Sequence, residues 1–78
     1  MKPVVTEKAV MMIESQNVLT FETNKEHTKG DIKKEIEELF DVKVEKIRTI
    51  IRLNKKYAYV KLKKEFPAID LAMKLGLM

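Results

Sequence analysis

The sequence predicts a small α/β (α+β) fold: a three-layer domain with an antiparallel sheet of three to four strands, in the order (β)αβαββα. Three observations predict it. Residues 17 to 24 and 44 to 63 alternate apolar and polar side chains at the period of a strand. Residues 28 to 40 repeat apolar side chains at the helical period behind a clear start signal. A second helical pattern is bracketed by Pro67 at its first turn and Gly76 just past its end.

In chain order, Pro3-Val4-Val5 is too short to stand alone but can add an edge strand. Thr6 is the expected N-cap of the first helix, and Glu7 suits the positive helix end. Ala9, Val10 and Ile13 can share its inward face. The next strand puts Leu19, Phe21 and Thr23 on one side and Val18, Thr20 and Glu22 on the other. Thr28 with Asp31 three residues on makes a capping box for the second helix. Ile32, Ile36, Leu39 and Phe40 form its expected buried stripe, with Lys33, Lys34, Glu35, Glu37 and Glu38 outside. Two strands follow, Val44 to Leu53 and Lys56 to Lys63, with a tight turn at Asn54-Lys55. Val44 is out of phase with Ile47, so a bulge is expected near Glu45. Ala68, Leu71, Ala72 and Leu75 are the stripe of the last helix. A strand, a crossover helix and a hairpin make a split β-α-β unit, with both outer strands antiparallel to a central one containing Tyr59.

The chain of 78 residues has room for one domain, residues 1–78. Its net charge of +4 is unevenly spread. Residues 1 to 42 carry −3, whereas residues 43 to 64 carry nine Lys or Arg against Glu45 alone. Such a segment is either a solvated face or the footprint of a phosphate binder. The charge density would also suit a thermophile. There is no cysteine, which excludes a disulfide framework and fits a reducing compartment. Neither a signal peptide nor a stretch able to insert in a membrane is expected; the run Ala9 to Ile13 is far too short.

On the strands the charge acquires a pattern. Leu19, Phe21, Ile47, Ile51, Ala58, Val60 and Leu62 form the face that must meet helices. The opposite face gathers Lys46, Arg48, Arg52, Tyr57, Tyr59, Lys61 and Lys63. Cations interleaved with aromatic rings suit RNA, because Lys and Arg neutralise phosphates while Tyr stacks on a base or ribose. Lys55 and Lys56, at the turn of the hairpin, are further candidates. Lys8, Lys25, Lys29 and Lys33 are candidates on the body. The competing reading is a half-buried sheet capped by the tyrosines, with Lys and Arg stems lying over them. No catalytic constellation emerges: His27 reads as a loop or capping residue, and nothing pairs a nucleophile with a base. A non-enzyme without cofactor or metal site is expected.

Several segments then fall in register with a known family. They are Thr6-Glu7-Lys8-Ala9, Asn17-Val18-Leu19-Thr20-Phe21, Thr28-Lys29-Gly30-Asp31-Ile32-Lys33 running to Val44, and Lys56-Tyr57-Ala58-Tyr59-Val60-Lys61-Leu62. The chain resembles the universal large-subunit ribosomal protein twenty-three family, in its compact archaeal-type form. The resemblance implies a cytoplasmic protein on the ribosome, monomeric when isolated, that binds large-subunit ribosomal RNA beside the polypeptide exit tunnel among neighbouring ribosomal proteins. It also implies a docking surface for nascent-chain factors such as signal recognition particle, with Glu7 matching the family's docking glutamate. Three departures stand out. The long basic loop of bacterial members is reduced to Arg52 to Lys56, which removes the basis for contact with tunnel contents. Arg48 replaces a frequent Asn, and Tyr57 breaks a familiar basic pair.

Two other readings compete. One is a free single-stranded RNA binder of the RRM kind, which Lys56 to Leu62 partly resembles, although Tyr57 stands where that motif has glycine. The other is a protein–protein adaptor working through Glu35, Glu37 and Glu38.

Overall fold

The structure is a computed structural model that describes residues 2–76. Its elements are β1 (Lys2–Pro3), α1 (Glu7–Gln16), β2 (Val18–Thr23), α2 (Lys29–Phe40), β3 (Val44–Arg52), β4 (Lys55–Leu62) and α3 (Ala68–Lys74). The four strands form one antiparallel sheet in the order β1-β2-β4-β3, so β4 with Tyr59 is central between β2 and β3, as the split β-α-β reading requires. The starts of α1 and α2 are those expected, while α3 starts at Ala68 with Pro67, expected in its first turn, as the extended N-cap residue. Thr6 Oγ1 accepts from Ala9 N at 3.1 Å. Thr28 and Asp31 exchange both bonds of the capping box. The register shifts between Val44 and Lys46, which places the bulge at Glu45.

The core lies between one sheet face and the helices. Leu19, Phe21, Ala58, Val60 and Leu62 meet Ile32 and Ile36 of α2, and Ala68, Leu71 and Ala72 of α3. Phe21 and Phe40 stack with ring centroids 6.5 Å apart. α1 contacts β2 and α3, giving Ile13 to this core. Its Ala9 and Met12 flank Thr20 on the other face of the sheet. The third layer is therefore partial. It buries Val18 and Thr20 of β2 and leaves the β3 and β4 side chains of that face open or half-open.

Three expectations are corrected. Leu39 is 64% exposed: the stripe that meets the sheet runs Ile32, Ile36, Phe40, and Leu39 is turned past its edge. Ile51 points to the helix side but sits opposite Lys56, beyond helical cover, and is exposed. The hairpin turn is Leu53-Asn54 rather than Asn54-Lys55, because Arg52 pairs with Lys55. Both turn residues have positive φ, 49° and 66°, the geometry that matches the twist of a two-residue hairpin.

Candidate nucleic-acid interface

Strand pairing sets the site. On the open face, cross-strand partners stand abreast in rows: Val18, Lys61, Lys46; then Thr20, Tyr59, Arg48; then Glu22, Tyr57, Ile50. Arg52 and Lys55 close the series. A cleft of about 470 Å³ lies along these rows. Lys8, Met12 and Gln16 of α1 line it together with Val18, Tyr59 and Lys61 of β2 and β4, and with Lys46, Arg48, Ile50 and Arg52 of β3. A second hollow of about 320 Å³ shares Lys8, Met12, Ile50, Arg52 and Tyr59 with the first, so the two form one continuous groove.

The electrostatics of this groove are one-sided. Lys8, Lys46, Arg48, Arg52 and Lys61 line it, and no carboxylate does. Among the described residues the one ion pair is Lys55 with Glu22, at 3.6 Å, outside this lining. Two cations of the groove face each other directly across the strands, Lys46 and Lys61, whereas Lys55, opposite Arg52, is paired with Glu22. Like charges so placed repel, which costs the fold stability. A polyanion laid between them removes that cost, and the counterions it releases add to the binding free energy. Half-buried Tyr59 supplies a ring in the groove between these charges.

The groove thus gathers Lys8, Lys46, Arg48, Arg52, Tyr57, Tyr59 and Lys61 from the sequence-predicted set. The other candidates lie elsewhere. Lys55 sits beside the turn and faces Glu22. Lys63 lies past the end of β4 in a hollow of mixed charge with Lys64, Glu14, Glu45 and Glu65. Lys25 donates to Asn54 Oδ1 at 3.0 Å and ties the loop after β2 to the hairpin turn. Lys56 is on the helix side of the sheet, where its ammonium donates to the His27 carbonyl. His27 is a loop residue whose Nδ1 lies 2.7 Å from Thr23 Oγ1. Lys29 and Lys33 are exposed on α2, across the sheet from the groove. Glu7 is exposed in the first turn of α1, one turn before exposed Met11.

Sequence reasoning did not count Met12, Gln16 or Ile50 among the RNA contacts, although strand alternation already sets Ile50 on the side of Lys46, Arg48 and Arg52 and Met12 reads, with Met11, as a soft docking patch. A further signal for two of them was present: Lys8, Met12 and Gln16 recur every four residues and so fall on one helical row. Among the described residues, no helix is long and apolar enough to cross a membrane. A family model described as Ribosomal protein L23 matches residues 1–66, a span that contains every residue lining the groove.

Proposed function

The chain belongs to the ribosomal protein L23 family, and we propose on that premise that it is a structural, non-enzymatic constituent of the large ribosomal subunit that holds large-subunit ribosomal RNA. Its place is the cytoplasmic ribosome, beside the polypeptide exit tunnel, where other ribosomal proteins are its neighbours. Residues 1–78 act as one RNA-binding domain. The observation that carries the RNA reading is the groove between α1 and the β3–β4 hairpin, lined by five cations and no carboxylate, with Tyr59 among them. Lys8, Lys46, Arg48, Arg52 and Lys61 hold phosphates, and the tyrosines stack on bases or riboses. Lys55, Lys56, Lys63, Lys25, Lys29 and Lys33 are secondary contacts, since none of them lines the groove. The two-residue turn at Leu53-Asn54 supports the compact archaeal-type form.

A second surface accompanies the first. Glu7 is exposed beside two exposed apolar side chains, Val5 and Met11. A charged residue with an apolar surround suits partner docking, and we assign this patch to nascent-chain factors such as signal recognition particle.

The test is filter binding to full-length large-subunit ribosomal RNA across a salt series, beside co-sedimentation with large subunits through a high-salt wash. The expected result is tight binding that falls steeply with salt and is lost in the triple variant K46E/R48E/K61E. Equal affinity for short single strands and structured ribosomal RNA would favour the RRM-like binder. An unaffected triple variant, with loss of function on changing Glu35, Glu37 and Glu38, would favour the adaptor.

A further inference from the structure

The part of the groove nearest the start of α1 differs from the rest. Its walls are largely apolar, with Ala9 and Met12 on one side and Tyr57 and Tyr59 on the other, and Lys8 and Arg52 stand where it joins the main cleft. Thr20 also lines it. That side chain is 7% exposed, and its Oγ1 is the one buried side-chain polar atom among the described residues with no hydrogen-bond partner. Burying a hydroxyl unpaired destabilises the free protein, and such groups call for a reason.

We propose that this hollow receives one unstacked nucleobase of the bound RNA, with Thr20 Oγ1 bonding the base edge. The assignment rests on the groove being an RNA site and adds a specific contact to it. Each part of the hollow matches a need of an extruded base. Tyrosine rings and apolar walls replace the lost stacking. Lys8 and Arg52 are placed for the flanking phosphates. A hydroxyl both donates and accepts, so it can meet either kind of group on a base edge. Met12 beside Thr20 is unbranched and half-buried, a side chain able to shift and uncover the hydroxyl.

Two variants separate this contact from the electrostatic one. Thr20→Val keeps the shape and β-branching and removes only the hydroxyl. Met12→Trp fills the hollow from its wall. The probe is full-length large-subunit ribosomal RNA, read by filter binding over a salt series, with thermal melts of the free proteins. Thr20→Val is expected to raise the melting temperature by about 4–8 °C, because an orphaned polar group is gone. It should weaken RNA binding by about two- to tenfold. Met12→Trp should weaken it at least as much. In both, the log–log salt dependence stays parallel to that of the unaltered chain, since no ionic contact is lost. Nucleotide-resolution chemical probing should reveal one base whose protection disappears in both variants. The inference is overturned if both variants bind RNA as tightly as the unaltered chain, or if Thr20→Val lowers the melting temperature, which would mean that the hydroxyl is satisfied within the fold. In either case salt-dependent binding by the unaltered chain leaves the groove reading standing. Failure of the unaltered chain to bind overturns both.

Discussion

Asn17 ends α1 in a left-handed backbone conformation, φ 58°, which asparagine tolerates better than most residues. Its side chain then joins three elements. Nδ2 donates to the Leu62 carbonyl at 3.0 Å and to the Phe66 carbonyl at 3.3 Å, and Oδ1 accepts from Ala68 N. That last bond caps α3, whose own N-cap, Pro67, has no side chain able to do so. Asn17→Ala should lower stability by about 2–4 kcal/mol, since it orphans partly buried backbone groups as well as straining φ. Asn17→Gly should recover only the backbone part. Urea unfolding of the two variants separates the contributions. Asp31 makes a different kind of prediction. Its carboxyl is held below the ordinary value of 3.8, first by the Thr28 backbone N–H and then by the Thr28 hydroxyl, with His27 and Lys34 adding attraction. A group favoured as carboxylate in the folded chain stabilises above its unfolded pKa and loses that contribution as pH falls through the lower folded one. Acid titration of helicity should therefore show a step below about pH 4 that Asp31→Asn lacks.

At the scale of elements, the hairpin is the most informative. Its turn places Leu53 at φ 49° with its side chain 95% exposed, so a γ-branched apolar residue occupies a position that favours Asn or Gly. Leu53→Asn with Asn54→Gly should stabilise the fold by about 1 kcal/mol, measured as a shifted denaturation midpoint at constant slope. The same change leaves the groove cations in place and should leave the salt dependence of RNA binding unaltered. Helix α2 shows how a helical stripe ends. Its inward row is Ile32 and Ile36, both buried, and partly buried Phe40, and the bond from Val44 N to Glu37 Oε2 at 2.9 Å fixes how the chain leaves it for β3. Glu37→Gln, which keeps an acceptor, should be tolerated better than Glu37→Ala by about 1 kcal/mol.

For the whole molecule, the two sheet faces divide the work. One is sealed by helices and supplies the core; Phe21→Ala should cost about 3–5 kcal/mol, because Phe21 is fully buried and stacks on Phe40. The other is half-covered by α1 and carries the unpaired cations. Each of Lys8, Lys46, Arg48, Arg52 and Lys61 that holds a phosphate should, when changed to Ala, lower the log–log salt slope of RNA binding by about 0.7–0.9. Changing Lys29 or Lys33, across the sheet, should alter that slope far less. Removing one of two opposed cations, as in Lys61→Ala, should also leave the free protein no less stable, since Lys46 then loses a repelling neighbour.

Element type and order, both threonine caps, the bulge at Glu45 and the identity of the central strand were legible in the sequence. Each follows from local rules, the two periodicities and the short-range bonds of capping residues, which act over a few neighbours in the chain. The Lys46, Arg48, Arg52, Tyr57, Tyr59, Lys61 face was legible for the same reason, because strand alternation fixes which side chains share a side. What the sequence could not give was how far each helix covers the sheet. Only packing placed α1 over β2 and not over β3 and β4. It thereby made a groove of an open face, brought Lys8 to it, left Lys29 and Lys33 behind the sheet, and buried Thr20 without a partner. It also decided that Leu39 and Ile51 lie outside the core, since burial depends on where a neighbouring element stops. Asn17 shows the same limit: in the chain it is the first residue before a strand, and its bonds to Leu62, Phe66 and Ala68 exist only once residues some fifty positions away are folded against it.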